Sequence, residues 1–337
     1  MRILRPDPES TSAEVDTGSG ATARLPKVVL PSGFAIPLTA LVLLLILVIV
    51  LAPAFYSPTN LSNVGRQAAI LGVVAIGQTY VMLVRGIDLS VGAVMGVTMI
   101  IVAQITSGRN DALAYALILS VVFGIVVGLA NAFLVIVRRV PPFVTTLTML
   151  ILIEGAVRVW TGGIQSGSIP PGLRPLGIGR IGPITTPLFV LLLVAGLSVF
   201  VLRRTVLGRA IYATGGNPVA SRLSGIRTRA VTATTYVICS TLAVLAGLML
   251  SGYIGYTDQY LGQGFELDSI AAAMVGGASF FGGRGSVLGT LFGVAVIAVL
   301  LNLIVLLDAG VAVQLVVKGA VIIGAITLQR QYSEQTQ

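Results

Sequence analysis

Runs of predominantly apolar residues recur along almost the whole of this chain, and they limit the folds open to it. A helix needs about 20 such residues to cross a bilayer, and lipid offers the backbone no hydrogen bonds, so each run must form a helix. Of the 337 residues, 55% are apolar and only 10% are charged. We therefore predict an all-α, polytopic membrane protein with about ten transmembrane helices. The predicted spans are 37–55, 66–84, 89–107, 112–137, 143–161, 186–202, 229–252, 266–281, 286–306 and 312–329.

The domain organisation follows from the same pattern. Residues 37–330 form one transmembrane domain. Residues 1–36 are polar and lack the apolar stretch of a signal peptide, so we expect a disordered cytoplasmic tail. A second short cytoplasmic tail covers residues 331–337.

The distribution of basic residues predicts the orientation. With the N-terminus inside, five of the 21 lysines and arginines fall outside and Lys318 lies within a span. The other fifteen are cytoplasmic, which is the bias expected of inner-membrane proteins, and both termini are then cytoplasmic. The five on the outside are Arg66, Arg109, Arg158, Arg174 and Arg180.

Several classes of protein are excluded by residues that are absent or rare. There is no histidine and a single cysteine, Cys239, so we expect no catalytic residues of the His-based type, no metal site and no disulfide. The only lysines, Lys27 and Lys318, do not follow a glycine, so no Walker A motif exists. The net charge of +9 reflects the loop bias rather than nucleic-acid binding.

The one long polar and basic interruption is residues 203–229, a predicted cytoplasmic loop. Within it, Asn217 is a good N-cap, Pro218 suits the first helical position, and Gly225 supplies a left-handed stop. Topology needs only the charges of such a loop, so the capped helix favours a docking element for a soluble motor. The residues predicted to couple to that motor are Gly215, Gly216, Asn217, Pro218, Ser221, Arg222 and Gly225.

Other polar residues are candidates for a translocation path. In the motif GIDLSVG, residues 86–92, Asp88 or Ser90 is expected to cap the third span. Polar residues at mid-span depth either hold helices together or line a wet path, and Lys318 is expected to pair with a carboxylate. The path candidates are Gln78, Asp88, Ser90, Asn131, Glu154 and Asn302. Near the C-terminus, GGRG at 282–285 predicts a tight hairpin.

Four motifs resemble the ribose-type branch of the ABC importer permeases, which is related to the branched-chain amino-acid permeases. They are GIDLSVG at 86–92, VPPFVTTLTML at 140–150, YATGGNPVASRLSGI at 212–226 and ELDSIAAAMVGGASFFGGRGSVLGTLFGV at 266–294.

The resemblance implies a permease with a vitamin B12-transporter-like fold in the bacterial inner membrane, working with a second copy or a paralogue. It implies no cofactor in this chain, because a separate ATPase docked at 217–225 would bind ATP and magnesium. A substrate-binding protein would deliver a monosaccharide. A branched-chain amino acid is the alternative substrate, an ion-coupled carrier is a less favoured alternative, and an intramembrane enzyme is poorly supported.

Overall fold

A computed structural model describes residues 32–164, 167–257, 260 and 262–334. The predicted tails lie largely outside this part of the chain. Helix α1 begins at Ser32, so residues 32–36 are helical rather than part of a disordered tail. At the other end, the last helix runs on to Glu334.

The described chain is almost entirely helical, with one two-stranded hairpin. Its helices correspond to the predicted spans, with three shorter helices between them. The elements are α1 Ser32–Leu51, α2 Pro58–Leu83, α3 Val91–Thr106, α4 Leu113–Ile136, α5 Pro142–Thr161, α6 Arg174–Ile178, β1 Arg180–Ile181, β2 Ile184–Thr185, α7 Thr186–Arg204, α8 Val206–Gly216, α9 Pro218–Leu223, α10 Thr228–Ile254, α11 Phe265–Val275, α12 Val287–Leu306 and α13 Val311–Glu334. Short 3-10 turns cover Pro53–Tyr56 and Pro171–Leu173.

Among the residues that the structure describes in full, six helices are long and apolar enough to cross a membrane: α2, α4, α5, α7, α10 and α12. Shorter apolar stretches occur at Leu41–Leu51, Val91–Thr106 and Ala312–Gly324. The predicted span 266–281 is wrong in its second half, because α11 ends at Val275 and Gly276 and Gly277 open a series of turns. The chain is thus a polytopic membrane protein, and the count of ten spans stays a prediction.

Local sequence signals explain where several helices begin and end. Ser57 accepts a hydrogen bond from the backbone of Asn60 and is followed by Pro58, which is a favourable start for α2. Ser286 caps α12 by accepting from Gly289 N. Gly255, with a positive φ, ends α10.

Helices α2 and α10 form the centre of the bundle. Helix α10 packs most extensively against α4, α2 and α3, while α2 also contacts α7, α11 and α12. In contrast, α4, α5 and α7 bury only a minor part of their apolar windows. The peripheral helices therefore present broad apolar faces to lipid or to another protein.

Connecting segments gather at the two ends of the bundle. At one end, which we call the α6 end, residues 167–185 include α6 and the hairpin β1–β2, in which Arg180 pairs with Thr185. This segment packs on the end of α10, where Gly177 lies against Gly252 and Tyr253. At the other end, the α9 end, the loop 84–90, the segment 204–228 and the turns 276–286 meet.

Candidate functional site

Four of the six predicted path residues form one buried polar cluster near the start of α3. Asp88 Oδ1 accepts from the backbone N–H of Ser90 at 2.9 Å and from its hydroxyl at 2.5 Å. Asn131 of α4 donates from Nδ2 to Ser90 Oγ at 3.0 Å. The amide of Gln78 faces the backbone of Asp88, donating to its oxygen and accepting from its nitrogen at 3.2 Å each. All four side chains are fully buried.

The prediction that Asp88 or Ser90 caps α3 is wrong in its geometry. Ser90 occupies the N-cap position but has helical backbone angles and makes no side-chain cap bond. The carboxylate of Asp88 instead folds back on Ser90 in a tight local turn, as aspartates readily do. The residue therefore fixes the loop 84–90 rather than the first turn of the helix.

Sequence reasoning missed two members of this cluster, both from α10. The hydroxyl of Tyr236 lies beside Gly86, and the thiol of Cys239 faces Gln78 and the carboxyl group of Asp88. Both side chains are fully buried. Because Asp88 lies in a loop with no exposure, burial raises its pKa from the ordinary value to about 6, an effect that its bonds to Ser90 only partly oppose.

Glu154, the fifth path candidate, lies in a different place, a cavity between α3, α5 and the segment before α11. Its Oε1 accepts a hydrogen bond from Gln263 Nε2 at 3.0 Å. The cavity opens to the surface, and its empty space measures about 370 Å³ when the open mouth is included. One wall is the face of α3 with Gly92, Ala93, Gly96, Val97 and Ile100. The opposite wall belongs to α5, with Ile153, Val157 and Arg158, and the segment before α11 adds Tyr260 and Gln263.

A close contact between backbones bounds this cavity. A Cβ on Gly92 would overlap with the carboxylate of Glu266 and lie only 2.6 Å from the carbonyl oxygen of Gly262. A Cβ on Gly262 would overlap in turn with the carbonyl of Gly92. Only glycine fits at these two positions, so the segment before α11 lies directly on α3. The carboxylate of Glu266 accepts from Gly264 N at 3.0 Å.

Asn302, the sixth candidate, is not part of the cluster or of the cavity. Its side-chain amide exchanges two hydrogen bonds with that of Asn60, at 2.9 and 3.1 Å. Asn60 also donates to the carbonyl of Phe55. This pair joins α12 to the start of α2, which is the helix-holding role open to any mid-span amide.

The predicted ion pair of Lys318 is confirmed, and its partner is Asp268. Lys318 Nζ lies 2.9 Å from both carboxylate oxygens. The two side chains are only 15% and 11% exposed. The pair connects the first turn of α11 to α13, which packs against it.

At the α9 end, the predicted capped helix is present. Asn217 Oδ1 accepts from the backbone N–H groups of Val219 and Ala220, each at 3.0 Å. The helix ends before Gly225, whose φ of 83° is left-handed. Its exposed residues include Arg222 and Leu223, whereas Ser221 is buried toward the bundle.

Sequence reasoning missed the helix α8 directly before α9 and the residue that holds it. The side chain of Thr205 starts α8 by accepting from Gly208 N. The last two carbonyls of α8, those of Gly215 and Gly216, accept hydrogen bonds from Arg85 Nε and Nη2, at 2.6 Å each. Arg85 was apparent in the sequence only as one more basic loop residue, so nothing local signalled this contact.

Comparison with known proteins places this architecture in a family. Residues 60–326 match the family described as branched-chain amino acid transport system / permease component. The chain belongs to this permease family. It is 35% identical to the ribose import permease protein RbsC of Escherichia coli K12 over 298 residues, covering 87% of this chain and 92% of that one.

Two further relatives agree with this assignment. RbsC of Bacillus subtilis 168 is 38% identical over 300 residues, covering 88% of this chain and 92% of the relative. The fructose import permease protein FrcC of Rhizobium meliloti is 35% identical over 274 residues, covering 79% and 76%. The resemblance to sugar-importer permeases drawn from the four motifs is thus confirmed, and the chain is a membrane permease subunit of an importer. No solved structure matches the chain.

Proposed function

We propose that this chain is the membrane permease of an ATP-driven importer and forms the translocation path for a monosaccharide. A binding protein delivers the sugar, and a separate ATPase supplies the energy with ATP and magnesium. The relatives named for ribose and fructose import support a sugar. The termini and the α9 end then face the cytoplasm of a bacterium, and the bundle has the ten-span, vitamin B12-transporter-like fold.

The cavity is the observation that carries the substrate class. It offers a carboxylate, Glu154, and two side chains with hydrogen-bonding tips, Gln263 and Tyr260, beside the small and apolar residues of α3. A small-molecule site combines a mostly apolar wall with a few polar groups in this way. A neutral, hydroxyl-rich ligand suits these groups, since hydroxyls both donate to carboxylates and accept from amides.

The docking helix α9 carries the coupling to an ATPase. Its exposed residues include Arg222 and the apolar Val219 and Leu223, and the exposed Arg227 follows shortly after it. Its cap is complete, and it lies at the end of the bundle where connecting segments gather. We expect Arg222→Glu/Arg227→Glu to abolish substrate-stimulated ATP hydrolysis by the reconstituted complex while the permease stays folded. Normal stimulation in this variant would overturn the docking role of α9. Arg109→Glu, at the α6 end, is the matched control.

The substrate test separates the remaining alternatives. The full chain, purified with the ATPase that accompanies it and reconstituted with its binding protein, should accumulate radiolabelled ribose or fructose only when ATP is inside the vesicle. Uptake of leucine instead would favour the amino-acid alternative. Uptake by the permease alone, driven by an ion gradient without ATP, would contradict the importer and favour a carrier.

A further inference from the structure

We propose that Arg85 is the positioning residue that transmits movement of the docking helix α9 to the wall of the cavity. The proposal rests on the importer function and adds a residue that neither the family resemblance nor the motifs single out. Arg85 lies in the loop 84–90, between α2 and α3, and its guanidinium reaches across to the end of α8.

The guanidinium clamps the junction between α8 and α9. The last carbonyls of a helix have no partner within the helix and carry partial negative charge. Arg85 satisfies two of them, those of Gly215 and Gly216, with two bonds of 2.6 Å from one rigid planar group. Asn217, the N-cap of α9, directly follows Gly216 in the chain, so the position of α9 depends on the carbonyls that Arg85 holds.

Backbone contacts make this junction rigid. A Cβ on Gly215 would overlap with the carbonyl oxygen of Leu83, the last residue of α2. Gly283 N donates to that same oxygen at 2.9 Å, and a Cβ on Gly282 would overlap with the side chain of Arg85. The ends of α2 and α8 and the turn after α11 therefore contact one another with no side chain between them.

The other end of this connection is the cavity. The loop that carries Arg85 continues through Asp88 and Ser90, which are held by Asn131 and Gln78, directly into α3. The first turns of α3 supply Gly92, Ala93 and Gly96 to the cavity wall. Because the loop is buried on both sides of Arg85, and Asp88 and Ser90 are held by hydrogen bonds, displacement of Arg85 moves the start of α3 rather than being absorbed. Arg85 itself has a left-handed φ of 68°, an unfavourable backbone for a non-glycine residue.

The experiment measures both the clamp and its consequence. Leu223 of α9 is 85% exposed and the native Cys239 is buried, so a spin label on Leu223→Cys reports the docking helix alone. In Arg85→Gln we expect greater mobility of this label in the purified permease. In the complete reconstituted importer we expect the substrate transported per ATP hydrolysed to fall by about ten-fold, the order of effect of losing a charge-assisted hydrogen bond.

Two further variants keep the test decisive. Arg85→Lys keeps the positive charge but cannot donate two hydrogen bonds from one planar group. Its label mobility and its transport per ATP should therefore lie between those of the wild type and Arg85→Gln. It replaces Arg85→Gln in the test if that variant does not accumulate in the membrane. Arg139→Gln is the matched control, because Arg139 is also left-handed, with φ 57°, in the loop after α4. It should change neither readout.

The outcomes that overturn the proposal are distinct from failure of the importer function. If Arg85→Gln transports as much substrate per ATP as the wild type, the proposal for Arg85 is overturned, even when the mobility of the label changes. If the wild-type complex shows no ATP-driven transport at all, the importer function fails. In that case the mobility of the spin label alone tests whether Arg85 holds α9. Unchanged mobility in Arg85→Gln would show that it does not.

Discussion

Asp88 is a carboxylate buried without any exposed surface in a protein of the membrane. Only one of its oxygens receives N–H or O–H hydrogen bonds from the described residues. We expect Asp88→Asn to keep these bonds, to retain uptake and to be no less stable to heat than the wild type. Asp88→Leu cannot accept from Ser90, and leaving those donors unsatisfied should cost about 1–3 kcal/mol. Unfolding is measured with a thiol-reactive dye, which reaches the buried Cys239 only after the helices separate.

The raised pKa of Asp88 gives a dependence on pH with a definite sign. The value rises from 3.8 in an exposed aspartate to about 6 in the folded protein. A folded state that binds the proton more tightly is most stable at low pH, so Asp88 should remove roughly 3 kcal/mol of stability as pH rises from about 4 to about 6. Tyr236 and Cys239, the titratable side chains that face it from α10, remain neutral in this range.

The difference between the wild type and Asp88→Asn isolates this contribution from other acidic residues. Melting temperatures of both proteins, measured from pH 4 to pH 7, should diverge in favour of Asp88→Asn between about pH 4 and pH 6 and keep a constant difference above that. Parallel curves would show that the carboxyl group is ionised at no cost in the folded protein.

At the scale of single residues, the sequence predicted which polar side chains are buried more reliably than it predicted their partners and roles. The mid-span positions of Gln78 and Asn131 and the motif around Asp88 marked them as buried polar residues, and the structure brings them together. Their partners Tyr236 and Cys239 are far away in the chain and typical of an apolar helix, so no local pattern identified them. Arg85 was missed for the same reason.

At the scale of helices, apolar runs predicted where most elements lie, and caps predicted some of their ends. The start of α9 at Pro218 was predictable because Asn217 and its neighbours form a local signal. Helix α8 was not predicted, because its residues are too polar for a span and its end is fixed by Arg85 from a different loop. Helix α11 was predicted too long, because the glycines after Val275 can be read equally as a small-residue span or as turns.

The ion pair between α11 and α13 gives a prediction at this scale. Lys318→Met leaves Asp268 charged and buried, which should cost about 3 kcal/mol, whereas Lys318→Met/Asp268→Asn removes both charges and should recover most of that loss. The dye assay on Cys239 measures both variants. Equal stability of Lys318→Met and the wild type would mean that water reaches Asp268 and that the pair contributes little.

At the scale of the whole molecule, the faces of the peripheral helices separate lipid from protein contacts. Helix α7 exposes apolar side chains along its length, such as Leu193 and Leu197. Helix α5 is equally exposed, yet Glu154 and Arg158 lie on the same face as Ile151, three and seven residues further along. Both side chains also line the cavity, where Glu154 accepts from Gln263. Charged side chains in contact with lipid are costly, so the open side of this face needs another protein or water against it.

A second permease subunit covering this face of α5 would satisfy the charges and place two cavities near each other. We expect Ile151→Cys, at a position 60% exposed, to give a dimer when membranes are treated with a short bis-maleimide. The matched control is Leu193→Cys on α7, where the native side chain is 62% exposed, and it should stay monomeric. Because Cys239 is buried, the native protein provides a background without crosslinking.

If the product contains a different permease, the partner is a paralogue rather than a second copy. Crosslinking from Leu193→Cys with none from Ile151→Cys would move the interface to α7 and leave Glu154 and Arg158 facing water.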